Sequence, residues 1–203
     1  MSDQKKMMLE SAEIRKSYEQ NWNTPLLTAC VADPLCCCTS FFCTCCASYS
    51  IRKRVLYGDM SRYLCCGGHC PCSGKMGEKS CPEFCLCLET VCCFTQSVAS
   101  SRHMIQDEFH IQNTTCDNCL IGFMICINQL ACIFRILACL TGNDAIEQAA
   151  DILTCIADLT YMSVCACMQT QHKVELDVRD GDRPKLKEGT VDYSRHQQGG
   201  GGG

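Results

Sequence analysis

The fold is decided by residues 117–171, DNCLIGFMICINQLACIFRILACLTGNDAIEQAADILTCIADLTYMSVCACMQTQ. Apolar residues recur at helical spacing on both sides of the turn Thr141-Gly142-Asn143-Asp144. This turn joins a glycine typical of a helix end to residues that favour a helix start. The pattern predicts one helix over 117–140 and another over 145–171. Because the connection is short, the two helices are expected to form an antiparallel hairpin.

A third helix is predicted over 82–111, where Pro82 takes a first-turn position and apolar or cysteine residues follow helical spacing. The glycine-rich segments 67–68 and 73–77 before it are not compatible with a core helix. We therefore expect an all-α fold, a small cysteine-rich helical bundle that consists of the antiparallel hairpin and a third helix, with irregular loops held by metal.

Cysteine accounts for 24 of the 203 residues, and 23 of these lie between Cys36 and Cys167. This share is typical of disulfide-stabilised secreted proteins. The first twenty residues, however, are rich in charge and contain no apolar run of signal-peptide length. We therefore expect an intracellular protein that is not secreted. In a reducing compartment, closely spaced thiols are more often metal ligands than disulfide partners.

The composition divides the chain into three parts. Residues 1–29 form a polar N-terminal segment, and residues 30–172 form the cysteine-rich helical domain. Residues 173–203 form a charged, turn-rich tail that ends in five glycines and is expected to be disordered. The net charge of −4 indicates no general attraction to nucleic acid.

Antiparallel packing of the hairpin would bring the start of its first helix close to the end of its second. Cys116-x2-Cys119 has the spacing of a zinc half-site, and Cys165-x-Cys167 would complete a tetrahedral set of thiolates. His172 could replace one of these cysteines, although an exposed position beside a helix end is the alternative for this histidine.

The loop over 65–87 offers more ligands than one tetrahedral ion needs, so a second ion or a shared thiolate cluster is an alternative. Short loops without a core commonly fold around structural zinc, which is the expected cofactor. An iron–sulfur cluster is a competing interpretation, because cysteine ligation alone does not distinguish it from zinc. The candidate ligands are Cys65, Cys66, His69, Cys70, Cys72, Cys81, Cys85 and Cys87.

A cluster of thiols interleaved with aromatic residues precedes the basic run Arg52-Lys53-Arg54. This pattern is typical of an S-acylated segment at a membrane surface, where acyl chains and a basic patch anchor a protein together. The alternatives are metal ligation or a buried helix in which cysteine acts as a small apolar residue. The cysteines concerned are Cys36, Cys37, Cys38, Cys43, Cys45 and Cys46.

Residues 119–140 are long enough to span a bilayer, but Asn128, Gln129 and Arg135 interrupt them. A central arginine alone costs about 2.5–3.5 kcal/mol on insertion scales. A hairpin buried within a soluble or peripheral protein is therefore the expected arrangement. Spanning becomes plausible if the polar residues pair between the two helices.

The cysteine motifs resemble those of the PLAC8 family, in particular its longer, cysteine-rich plant members. Cys65-x4-Cys70-Pro71-Cys72 is similar to the Cys-x4-Cys-Pro-Cys core of that family, and the segment 165–176 is similar to its closing motif. The resemblance covers roughly residues 30–177. It implies membrane association and, for some members, cadmium or zinc export or restraint of cell proliferation. Two positions depart from the pattern: Leu64 stands where the family usually has a cysteine, and the closing motif has Cys-x-Cys for Cys-x2-Cys.

No nucleophile motif, phosphate-binding glycine loop or HExxH helix occurs, so no enzyme and no small-molecule substrate is expected. The leading hypothesis is a zinc-binding adaptor or regulator that associates with membranes and has an unidentified protein partner. An integral protein that transports cadmium or zinc is one alternative. A cytosolic metal buffer is the other.

Overall fold

The computed structural model describes residues 3–68, 73–74 and 77–184. Within these ranges the fold is all-α, as predicted, and a single parallel bridge between Gln20 and Ile111 is the only strand-like pairing. The helices are α1 (Asp3–Lys16), α2 (Ala29–Ala32), α3 (Pro34–Phe42), α4 (Thr44–Val55), α5 (Pro82–Cys92), α6 (Phe94–Phe109), α7 (Thr115–Thr141) and α8 (Asp144–Asp180).

The predicted hairpin is formed by α7 and α8. The side chain of Thr114 accepts a hydrogen bond from the Asp117 amide at the start of α7, and Gly142 ends this helix with a φ of 58°. The side chain of Asn143 then caps α8 by accepting from the Ala145 amide. A left-handed glycine followed directly by an asparagine cap lets the chain reverse within two residues.

The end of α8 corrects the predicted boundary at residue 172. The helix continues through Asp180 and ends at Gly181, and Val174, Leu176 and Asp177 are buried along its last turns. Residues 173–180 therefore belong to the helical domain, although their charge was typical of a tail. The remainder of the predicted tail, 185–203, lies outside the described residues.

The predicted polar segment 1–29 also contributes to the core. Trp22 and Leu26 are buried, and each belongs to an apolar cluster with residues from the later helices. A segment of polar average composition can still supply individual apolar residues to a core, because burial is decided residue by residue.

The single helix predicted over 82–111 is broken into α5 and α6, which meet at Cys93 with a bend of 115°. Helices α3 and α4 repeat this arrangement with a bend of 119° at Cys43. Neither break carries a glycine or proline. The sequence therefore gives no local signal for a bend, and its apolar periodicity runs through both breaks. In both pairs a buried arginine, Arg52 or Arg102, lies nine residues after the break.

The apolar core lies at one end of the hairpin, where α8 packs against α2, α3, α4 and α6. Residues of α4, α6 and the end of α8 form one cluster, together with Trp22. A second cluster joins α6, α7 and α8, and a third lies between the end of α4 and α5. The loop that follows α4 is thereby held against α5.

The other end of the hairpin is not covered by the helices described, which corrects the expectation of a buried hairpin. Phe123, Leu140 and Ile152 are 57%, 77% and 64% exposed. In the most apolar 18 residues of α7 and of α8, only 11% and 22% are buried. Both helices are long and apolar enough to cross a membrane, and each bent pair would also qualify if counted as one span.

Candidate metal centre

A three-ligand group lies where the loop after α4 meets α5. It consists of Cys65, Cys66 and Glu89, whose ligand atoms all lie within 4.8 Å of one another. The two sulfur atoms are 3.9 Å apart. Two thiolates bound to one zinc ion at about 2.3 Å each would lie roughly 3.8 Å apart. These residues could therefore hold a metal ion.

The backbone turns sharply to place both thiols on one side. Cys66 and Gly67 adopt left-handed conformations with φ of 51° and 61°. A side chain on Gly67 would meet the Cβ and Oγ of Ser100 at 3.1 Å, so this position requires glycine. The left-handed cysteine is the unusual feature, because a residue with a Cβ adopts this conformation at a cost.

Two buried carboxylates hold the turn in place. Glu89 Oε2 accepts hydrogen bonds from the Cys66 amide and the Tyr63 hydroxyl, both at 2.8 Å. Glu78 accepts from the Cys65 amide and the Gly74 amide, both at 2.9 Å. The second oxygen of Glu89, Oε1, is buried and makes no hydrogen bond. Since a buried carboxylate oxygen is rarely left without a partner, this atom is the one suited to bind a cation.

Charge balance favours a divalent ion at this position. Arg52 is buried beside Glu89, and its guanidinium interacts with the Glu89 carboxylate. With two thiols protonated, the charges of Glu78, Glu89 and Arg52 sum to −1. With two thiolates and a divalent ion, the charges of the same group again sum to −1. Metal binding therefore adds no net charge to the buried site, which avoids the large cost of a further uncompensated buried charge.

Two ionisable groups of the centre, Cys65 and Tyr63, favour their neutral forms. Burial raises the pKa of the Cys65 thiol, and the carboxylates of Glu89 and Glu78 raise it further. Burial and the hydrogen bond to Glu89 raise the pKa of Tyr63. Metal binding must therefore displace thiol protons, because the thiolate is the form that ligates.

The affinity of this centre for zinc is expected to rise steeply with pH. Each bound ion displaces a proton from both thiols, so affinity should rise by about 100-fold per pH unit below the thiol pKa values. The measurement is competition with a chromophoric chelator between pH 6 and pH 8, taken as the difference between the wild type and the Cys65→Ser/Cys66→Ser variant. A difference that does not vary with pH would contradict thiolate ligation.

Among the residues that the structure describes, the other predicted ligands of this loop do not join the group. Cys85 is half-buried and packs on the same apolar cluster as Cys65, whereas Cys81 and Cys87 are exposed. His69, Cys70 and Cys72 lie outside the described residues.

The metal site predicted between the helices of the hairpin is not formed. Cys116 and Cys119 share an exposed face of α7. Cys165 is buried among apolar side chains of α6 and α7, while Cys167 is half-buried against the same cluster and lies beside Cys30. Residues two apart on a helix differ by about 200° in direction, so Cys165 and Cys167 cannot serve one ion from a single face.

His172 is a core residue, not a ligand and not an exposed residue at a helix end. Its side chain is fully buried, its ring lies 5.7 Å from the Trp22 ring, and neither ring nitrogen makes a hydrogen bond. The prediction failed because α8 extends two turns beyond the expected end, which places His172 inside the bundle.

The predicted acylation or metal cluster lies on α3, α4 and the bend between them. Cys38, Cys43 and Cys46 are exposed, and Cys36 and Cys45 are half-buried. Cys37 is instead joined to Cys30 by a disulfide. Leu35 and Phe42 are strongly exposed beside these thiols, so the surface has the apolar character that membrane attachment requires. Acylation stays a prediction.

Sequence reasoning missed two residues that the structure places in thiol groups. The sequence carries a usable sign that Glu89 is buried, because this single carboxylate lies beside the apolar residues Leu88 and Val91 of α5. The sequence carries no such sign for Cys30. This cysteine comes from a different helix than Cys37 and Cys167, and no short spacing connects the three.

The chain matches no known family model, no curated protein and no solved structure. The resemblance to the PLAC8 family therefore rests on the cysteine motifs quoted above.

Proposed function

We propose that this protein is a non-enzymatic, membrane-anchored metal-binding protein in which the α7–α8 hairpin crosses the bilayer. The Cys65–Cys66–Glu89 centre holds zinc in the folded domain beside the membrane. The observation that carries the proposal is the uncovered apolar surface of the hairpin. This anchoring revises the expectation of a peripheral protein, and the cytosolic buffer loses support, since a soluble chain rarely exposes so large an apolar surface.

The dimensions of the hairpin suit a bilayer. Helix α8 has 37 residues and is about 55 Å long at 1.5 Å per residue. Its last turns, from Cys165 onward, are mostly buried in the folded domain. The preceding residues, 144–164, measure about 32 Å, which matches a hydrocarbon core of about 30 Å.

Two polar residues within the span, Arg135 and Asn128, meet the condition for spanning, whereas Asp158 of α8 is exposed and pairs with no described residue. Arg135 of α7 donates to Asp151 of α8 at 2.9 Å and to the Thr154 hydroxyl at 3.1 Å. The side-chain amide of Asn128 donates to the Met124 carbonyl of its own helix. Paired in this way, these groups cost much less in hydrocarbon than isolated charges.

The distribution of charge supports a cytoplasmic location for the folded domain. Arg135 is the only lysine or arginine between residues 115 and 164, and the turn at 142–147 carries none. All other basic residues lie on the side of the folded domain or in the terminal segments. Because basic residues are retained on the cytoplasmic side of membranes, this arrangement favours a hairpin that enters from the cytoplasm.

The biological role that fits this arrangement is that of a membrane-bound adaptor or regulator in metal homeostasis or cell-number control. The PLAC8-like motifs support this role. The metal centre supports it as well, because a zinc-stabilised turn at the membrane surface would offer partners a fixed surface that depends on metal supply.

Alkylation of native cysteines tests the membrane hairpin directly. Cys132 and Cys155 are exposed on the hairpin, and Cys81 is exposed on the folded domain. In sealed vesicles, with the folded domain outside, a polar maleimide should label Cys81 but neither hairpin cysteine, because a thiolate does not form in hydrocarbon. Detergent should then make all three accessible.

Equal labelling of Cys132, Cys155 and Cys81 before detergent would show a hairpin in water and would refute the anchoring. Extraction with alkaline carbonate gives an independent readout, since an integral protein stays in the membrane pellet.

Metal content tests the zinc centre. Protein purified without chelator should contain at least one zinc ion per chain by mass spectrometry. The Cys65→Ser/Cys66→Ser variant should lose one of these ions. An unchanged zinc content would refute zinc binding at this centre.

A further inference from the structure

Three sulfur atoms meet at a second place, where the N-terminal helices contact α8. Cys30 of α2, Cys37 of α3 and Cys167 of α8 have their Sγ atoms within 4.8 Å of one another. Cys30 and Cys37 are joined as a disulfide, and Cys167 Sγ lies 3.0 Å from Cys30 Sγ. All three residues are half-buried, so the group is reachable from solvent.

The spacing of these sulfur atoms suits a thiophilic ion once the disulfide is reduced. Three thiolates around one zinc ion at about 2.3 Å lie roughly 3.8–4.0 Å apart. The observed group needs only small side-chain rotations to reach that distance. Three cysteines from three helices would then leave one coordination position open to water or to an incoming ligand, as in exchangeable zinc sites.

The scaffold around the three cysteines is held without metal. Asp33, between α2 and α3, accepts a hydrogen bond from the Cys36 amide and thereby caps α3. Its carboxylate also pairs with Lys173 of α8 and with Arg183, each at 3.0 Å. These ion pairs fasten the connection between Cys30 and Cys37 onto α8 beside Cys167. The disulfide and these ion pairs therefore bring the three sulfur atoms together.

We propose that Cys30, Cys37 and Cys167 form a redox-gated binding site for a thiophilic divalent ion such as Zn²⁺ or Cd²⁺. Two molecules of a thiol such as glutathione reduce the Cys30–Cys37 disulfide. The reductant leaves as its own disulfide, and the two cysteines gain two electrons and two protons. Binding of the ion then displaces a proton from each of the three thiols, and a lone pair of each sulfur forms a bond to the metal.

The redox state of Cys30 and Cys37 controls whether the site can bind an ion. In the oxidised state Cys30 and Cys37 share a covalent bond, and Cys167 alone cannot hold an ion. In the reducing cytosol the disulfide opens and all three sulfur atoms become ligands. The site is distinct from Cys65, Cys66 and Glu89, and it ties the N-terminal helices to α8 instead of tying a loop to α5.

Differential alkylation of the full-length protein in detergent tests the site. Protein reduced with dithiothreitol and freed of the reductant is treated with iodoacetamide in the presence of Zn²⁺ or of a chelator, and each cysteine is followed by peptide mass spectrometry. Zn²⁺ should abolish alkylation of Cys30, Cys37 and Cys167 together. Cys167→Ser should restore alkylation of Cys30 and Cys37 in Zn²⁺, and Cys30→Ser should restore alkylation of Cys37 and Cys167.

Three controls separate the alternatives. Cys155→Ser removes an exposed thiol elsewhere and should leave the protection of all three unchanged. The Cys65→Ser/Cys66→Ser variant should also leave it unchanged, so failure of the first metal centre is distinguished from failure of this one. Thermal melting of the reduced proteins in chelator should show that Cys167→Ser and Cys30→Ser fold like the reduced wild type. Protection of Cys30 and Cys37 that persists in Cys167→Ser, or that does not require Zn²⁺, would overturn the proposal.

Discussion

Replacement of Arg102 by methionine is expected to destabilise the protein by about 3–5 kcal/mol, because it leaves a buried carboxylate without its counterion. Arg102 and Asp117 are 4% and 0% exposed, and their side chains approach to 3.5 Å. Burial lowers the pKa of Arg102 to about 10, so the guanidinium is still charged at pH 7. This ion pair joins α6 to the start of α7, where the hairpin meets the folded domain.

The neighbours of Arg102 show why the loss cannot be repaired locally. Its guanidinium donates to Gln171 Oε1 and Asn113 Oδ1, each at 2.7 Å, and stacks on the Trp22 ring at 4.4 Å. Methionine would retain part of the contact with Trp22 but none of the donors. Both amide oxygens would then be left with fewer partners in a dry environment, in addition to the unpaired Asp117.

Thermal unfolding of the full chain in detergent measures the effect, and a loss of 3–5 kcal/mol corresponds to about 10 °C for a chain of this size. Lys53→Met is the matched control, since Lys53 forms an exposed ion pair with Glu83 and should melt like the wild type. Asp117→Asn in the Arg102→Met background should recover part of the lost stability. If Arg102→Met melts like the control, the buried ion pair does not stabilise the fold.

The parts of the fold that could be predicted are those with an uninterrupted periodic signal. The hairpin and its turn were predicted to within a few residues at three of its four helix ends, because Gly142 and Asn143 supply local stop and start signals. The fourth end, at Asp180, was missed because the charges of the last turns are satisfied by pairs such as Lys173 with Asp33. Such long-range ion pairs leave no local trace in a sequence.

The groups of residues that could hold a metal ion were predicted in part, for a physical reason. Cys65 and Cys66 are adjacent, and a tight turn brings neighbours together, so sequence spacing sufficed for this pair. Cys167 was assigned to the wrong group, because an antiparallel hairpin fixes the level of a residue along the bundle but not the face on which it lies. The bend at Cys93 was not predicted either, because tertiary packing produces it and no glycine or proline marks it in the sequence.

The second large effect is expected from the ion pair between Arg135 and Asp151 in the hairpin. Both side chains are more than half exposed to the surroundings of the protein, at 54% and 60%. In water such a pair contributes little, and its coupling energy would be below about 1 kcal/mol. In hydrocarbon each unpaired partner costs on the order of 2.5–3.5 kcal/mol, so the coupling should be of that size.

A double-mutant cycle in lipid separates these two cases. Arg135→Leu leaves Asp151 unpaired and Asp151→Leu leaves Arg135 unpaired, so both single variants should be less stable than the double variant, which carries neither charge. The measurement is the free energy of unfolding in mixed micelles, combined as the cycle requires. Ile133→Leu, at an exposed apolar position of α7, is the control and should not change stability. Additive effects of the two single substitutions would place the pair in water and would argue against a hairpin that crosses the membrane.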